Sequence, residues 1–123
     1  MELRRNERRV ELRVQFSHPV KCMTPEVLFE AEAVNLGADG LCLLSPLPLE
    51  AGTEMAVLFS FTPSGDVPFL ALAEVIWCED GAEEIPGQSS ILGLLFQHLS
   101  PRKSSLLTGF VLQLALAGGM FHR

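Results

Sequence analysis

Apolar and polar positions alternate with a period of two through most of the chain, and short clusters rich in Gly, Pro, Asn and Asp interrupt the alternation. This is the pattern of antiparallel strands with one buried face. In a first strand Val14, Phe16, Val20 and Cys22 face one way, and Arg13, Gln15, Ser17 and Lys21 face the other. His18 falls on the apolar register and reads as a histidine at the core's edge, since no second metal-binding residue stands near it. After a Thr24-Pro25 turn, a second strand over 27–34 points Phe29, Ala31 and Ala33 inward and Glu30 and Glu32 outward. The segment 35–40, Asn-Leu-Gly-Ala-Asp-Gly, is expected to be a tight turn whose glycines can take positive φ. Further strands are expected over 41–45, 55–61, 69–78 and 91–97, separated by turns over 46–53 and 63–66 and by an acidic loop after residue 78.

The period then changes. Ser100 is a fitting N-cap and Pro101 a fitting first helical residue. Leu106, Leu107, Phe110, Val111 and Leu114 form a helical stripe that should cover the strands, and Gly118-Gly119 should stop the helix. Leu112 and Leu116 fall on the opposite side, which leaves room for a partner or for a homodimer through this helix. The expected fold is all-β, a six-stranded antiparallel β-barrel with a C-terminal α-helix packed on it. Its parts would be a flexible Arg-rich arm over 1–13, a barrel over 14–98, the helix over 99–118 and a tail over 119–123.

Length and composition agree with one such domain. The 123 residues are 48% hydrophobic, enough for a single core, and only 20% charged, too few for a disordered tail. The longest apolar run is broken by Thr108, Gly109 and Gln113 and falls short of the roughly 20 residues of a membrane span. No secretory pattern opens the chain, so the expected location is the cytoplasm. Cys22, Cys42 and Cys78 form no CxxC pair, which indicates neither zinc nor a redox motif, and all three read as small buried hydrophobes.

Charge narrows the function. The net charge of −6 argues against DNA or RNA as partner. Yet residues 1–21 hold Arg4, Arg5, Arg8, Arg9, Arg13 and Lys21 against three glutamates, a net of +3, while the remainder carries −9. A small cationic arm on an acidic body suits a small anion. Catalysis finds no support: there is no GxSxG elbow, no HExxH, no GxGxxG and no Walker lysine, and no cofactor is expected. The acidic loop reads as solvated surface.

Two features remain. Arg9 and Arg13 are spaced RxxxR with Arg8 adjacent, and arginine's planar fork matches phosphate and can stack on a purine. Arg4 with Arg8, and Arg5 with Arg9, satisfy the same spacing, but the alternation begins directly after Arg13. The second feature is the turn Asn35-Leu36-Gly37-Ala38-Asp39-Gly40. In this order the two resemble the PilZ domain, a bacterial receptor module for cyclic di-GMP, in which RxxxR precedes the first strand and a [D/N]xSxxG turn follows the second. Glu74-Val75-Ile76-Trp77, Gly93-Leu94-Leu95-Phe96 and Leu99-Ser100-Pro101 extend the resemblance to about residues 5–116.

The resemblance implies that Arg9 and Arg13, helped by Arg8, take the ligand's phosphates and guanine faces. It further implies that Asn35 bonds a guanine edge and that Gly40 lets the base approach the backbone. A downstream protein partner is also implied. Gly37 departs from the pattern, standing where the family has Ser. One neutral hydrogen bond, roughly 0.5–1.5 kcal/mol, is missing there. That departure keeps a second reading open, a degenerate PilZ-like adaptor that binds a motility or polysaccharide-machinery protein without nucleotide.

Overall fold

The computed structural model describes residues 12–80 and 90–119. The alternating segments form β1 (Arg13–Met23), β2 (Leu28–Gly37), β3 (Gly40–Ser45), β4 (Glu54–Ser60), β5 (Pro68–Asp80) and β6 (Ser90–Gln97). They close into an antiparallel barrel in the order β1-β2-β3-β6-β5-β4. The inward residues anticipated from the alternation, among them Val14, Phe16, Val20, Cys22, Ala31, Ala33, Met55, Val57 and Phe59, are all buried in one core. Phe29 is only half-buried, because it sits near the open start of β2.

Each of three bulges puts one extra residue into a strand: in β1 between Gln15 and His18, in β2 between Ala33 and Asn35, and in β5 between Val75 and Trp77. Such insertions bend the strand and re-aim the side chains beyond them. The β5 bulge exposes Ile76 and Trp77 in succession, which strict alternation does not allow. His18 follows the β1 bulge. Its ring stacks on Phe16 at 5.6 Å, and its Nδ1 and Nε2 lie 2.8 and 3.4 Å from the carbonyl oxygens of Pro19 and Thr62. It is thus a core-edge histidine.

Ser100 caps the helix α1 (Pro101–Leu114) by accepting from the Lys103 N–H, and Pro101 opens it, as the sequence indicates. Beyond the helix, the segment Ala115–Gly119 leaves helical geometry at Gly118, whose φ is 94°. The helix sits on the barrel through buried Leu107 and Val111, and through Phe110, which stacks on Phe61 at 4.4 Å and meets Phe16 edge-on at 5.7 Å. Burying side chains of this size contributes about 1.5–3 kcal/mol each. Leu106 does not join them. It is more than half exposed, so the buried stripe is narrower than its spacing suggests.

The cysteines also depart from expectation. All are free thiols, but only Cys22 is buried, while Cys42 and Cys78 are half-buried on the outer register of their strands. Burial, with a smaller contribution from Glu30, pushes the Cys22 thiol from 9.0 up to about 12. The folded chain therefore holds a proton that the unfolded chain releases above 9.0. The stability tied to this group is complete below pH 9.0 and is lost as pH rises towards 12. Denaturant midpoints should accordingly fall across that window. Cys22→Val should lack this part of the fall, and an identical alkaline profile for the variant would refute the assignment.

Candidate functional site

The end of the barrel that carries the two sequence motifs is built around the β2–β3 hairpin. The expected six-residue turn shrinks to two residues, Ala38 and Asp39, because Asn35, Leu36 and Gly37 still pair within β2 and Gly40 already opens β3. Gly37 and Gly40 do not have positive φ, contrary to expectation; among the described residues the glycines that do are Gly52, Gly65 and Gly118. Contact is what requires them. A Cβ on Gly40 would lie 2.0 Å from the Leu94 carbonyl oxygen on β6, and the neighbouring Asp39 carbonyl accepts from the Phe96 N–H at 2.8 Å.

Gly37 stands opposite Arg13, the first residue of β1. A Cβ there would come within 2.9 Å of the arginine's Cδ and 3.0 Å of its guanidinium. The Arg13 side chain thus lies across the bare glycine, and its guanidinium donates to the Gly40 carbonyl at 2.9 Å. The structure thereby brings Arg13, Gly37 and Gly40 together, and the remaining N–H groups of the fork, which have no hydrogen-bond partner among the described residues, can bind an anion. Arg8 and Arg9, with Arg4 and Arg5 of the rival registers, lie outside the described residues.

Asn35 follows the β2 bulge on the same hairpin. Its Oδ1 and the Oδ1 of Asp39 are buried and accept no hydrogen bond among the described residues. Leaving such an acceptor unsatisfied costs about 1–3 kcal/mol, so two of them on one hairpin call for a donor from elsewhere. The sequence reading gave Asp39 no role, since an acidic residue in a two-residue turn is common for local reasons.

Strand register extends the site further than sequence could. Gln15, Asn35, Cys42, Gly93 and Trp77 pair in succession across β1, β2, β3, β6 and β5, forming one row on the barrel's outer face. The indole lies flat against Gly93, where a Cβ would fall 2.2 Å from Trp77 Cε2. Between them and Asn35 stands Cys42. Burial raises its thiol above the ordinary value, Arg13 lowers it in part, and Glu79 raises it again. That thiol is neutral at pH 7 and adds no charge beside the arginine. The site therefore offers a cation, two orphaned acceptors and an aromatic face. Those are the complements of a phosphate, of a donor-bearing base edge and of a purine ring. Among the described residues no group of three His, Cys, Asp or Glu side chains could hold a metal, and no helix is long and apolar enough to cross a membrane.

A closed antiparallel barrel of this order, with the arginine and glycine hairpin at one rim and a capping helix, defines a small single-barrel domain class. The family model described as the PilZ domain matches residues 2–113, and the chain belongs to that family. Among solved structures it is similar to the PilZ domain with c-di-GMP of YcgR from Escherichia coli. The TM-score is 0.72 at 16% identity, over 89% of this chain and 93% of that one. It is also similar to the inhibitor of motility MotI from Bacillus subtilis, with a TM-score of 0.70 at 14% identity, over 88% of this chain and 51% of that one. A tetrameric PilZ domain from Xanthomonas campestris, self-assembled through a helical bundle, matches at 0.59 and 21% identity, over 73% and 47%. At these identities the likeness is one of fold. Comparison with curated proteins finds no match.

Trp77 is the only tryptophan and there is no tyrosine, so its emission reports this row alone. Gly93→Ala should displace the indole, shift its emission and destabilise the barrel by about 1–3 kcal/mol. An unchanged spectrum and denaturant midpoint would show that Trp77 does not rest on Gly93.

Proposed function

We propose that this chain is a non-catalytic receptor for cyclic di-GMP, acting in a bacterial cytoplasm and passing the signal to a partner protein. The observation that carries the reading is Arg13, laid across Gly37 and bonded to the Gly40 carbonyl beside the unpaired oxygens of Asn35 and Asp39. Membership of the PilZ family and the fold shared with the c-di-GMP-bearing domain of YcgR support it. In this reading Arg8, Arg9 and Arg13 hold the phosphates and stack on guanine. Asn35, joined by Asp39, accepts from the N1–H and N2–H edge of a base. Trp77 supplies a flat surface at the far end of the row. The likeness to MotI makes the motility machinery the first place to seek the downstream protein. Leu112 and Leu116, 50% and 88% exposed, make the helix the face for a homodimer, which sedimentation velocity on a Leu112→Ser, Leu116→Ser variant would detect.

Calorimetric titration with cyclic di-GMP tests the reading. Arg9→Ala and Arg13→Ala should each remove a charge-assisted contact of about 1.5–3 kcal/mol, weakening binding roughly ten- to a hundredfold. If both variants bound like the wild type, the proposed site would be wrong. Saturating nucleotide should also change Trp77 emission.

Gly37→Ser gives a test of opposite sign. The new side chain meets Arg13, which can swing off its resting place and away from the Gly40 carbonyl, and also the Leu12 backbone carbonyl oxygen at 3.1 Å, which must give by a few tenths of an ångström. It also restores the hydroxyl seen in the family pattern. Affinity should rise up to roughly tenfold, one neutral hydrogen bond's worth. Weaker binding by Gly37→Ser would mean that Arg13 binds from the position it holds over the glycine.

A further inference from the structure

The outer face of β2, β1, β4 and β5 carries an apolar surface that the nucleotide reading does not use. Register places Leu28, Met23, Ala56 and Leu72 side by side in one row across the four strands. The row two residues away along the strands runs Glu30, Lys21, Leu58 and Leu70. Leu28, Met23, Leu58, Leu70 and Leu72 are each between 37% and 71% exposed. The rows lie about 7 Å apart and span about 14 Å across the strands. That is the footprint of roughly ten residues of one α-helix.

On the other side of the leucine row stands a like-charge pair, Glu54 of β4 directly opposite Glu74 of β5. Opposed like charges on a sheet face are destabilising. Their further neighbours in that row are Leu95 and Gly40, and the nearest cation along it is the Arg13 guanidinium at the Gly40 carbonyl, two strands from Glu74. Among the described residues Glu74 accepts only from the neutral Gln97 amide, at 2.7 Å. Of the bases at this face, Lys21 stands opposite Glu30 in the strand register, and the Lys103 ammonium donates to the Leu70 carbonyl and sits over the Phe69 ring. A second copy of the same face would bring more carboxylates, Glu30, Glu54 and Glu74, than bases, and an anionic membrane surface would meet the glutamates with its own charge. Strand addition is excluded, since the barrel is closed and β4 and β5 are paired on both sides.

We propose that this face docks an amphipathic helix of a partner protein, with an apolar stripe on the Leu28–Leu72 and Leu58–Leu70 rows and basic residues over Glu54 and Glu74. The surface stands independently of the nucleotide site, so loss of cyclic di-GMP binding in Arg13→Ala leaves it intact.

The test uses the full chain and a labelled synthetic helix with a leucine stripe flanked by lysines, followed by fluorescence anisotropy. The same peptide with glutamate for lysine is the control. The lysine peptide should bind roughly tenfold or more tightly than the glutamate peptide. Leu70→Ser with Leu72→Ser should abolish that preference, and Met23→Ser with Leu58→Ser on the neighbouring strands serves if the first variant does not fold. Glu54→Gln with Glu74→Gln should flatten the salt dependence, while Leu112→Ser on the helix should change nothing. Equal binding of both peptides, or binding indifferent to the leucine substitutions, would overturn the proposal. So would self-association, or binding to phosphatidylglycerol-containing vesicles, that Leu72→Ser removes.

Discussion

Among the described glycines the tightest constraint is the approach of β3 to β6, where a single added carbon on Gly40 would strike the Leu94 carbonyl. This seam closes the barrel beside the β2–β3 hairpin, and the Asp39–Phe96 backbone bond holds the hairpin's tip against the next strand. Because the tip is fixed, the Gly40 carbonyl is presented at a set place and Arg13 can reach it from the start of β1. The orientation of Asn35 and the burial of the Asp39 oxygen follow from the same closure. A side chain at Gly40 would thus disturb the sheet, the arginine and both orphaned acceptors together.

The bulges do a second kind of positioning. A regular six-stranded barrel would keep strict inside-outside alternation and bury or expose every second residue. The extra residue in β2 delivers Asn35 to the outer face, and the one in β5 delivers Trp77. Both end in one row, three strands apart, though they are far apart in sequence. The candidate site is therefore a property of register: the arginine comes from a strand's beginning, the acceptors from a hairpin and the aromatic ring from a bulge.

The physics of each feature decided whether sequence revealed it. One-sided burial imprints a period of two, so the strands, their inward residues and the change to a helix at Ser100 could be read directly. Arg13, Asn35, Gly37 and Gly40 stood out through their spacing and the family resemblance. Bulges leave no compositional trace, which is why the turn appeared six residues long and Trp77 seemed only to end a strand. The need for glycine at 37 and 40 comes from neighbours distant in sequence, Arg13 and Leu94, and so was misread as a need for positive φ. The half-exposure of Cys42 and Cys78 follows from outward register, which their apolar character hides. Rows that cross four strands, such as Leu28 to Leu72, exist only once the barrel has closed.

The helix carries no charged residue from Ser104 to Gly119, and Gly109 sits near its middle with open space around it. Its leucines and alanines favour a helix while Gly109 weakens it, and no charge keeps such a segment in solution on its own. Its order is borrowed from the barrel, through buried Leu107 and Val111 and through Phe110 against Phe61 and Phe16. The outer side of this charge-free strip is therefore held in water by packing alone, and the charge that keeps molecules apart is carried elsewhere on the chain.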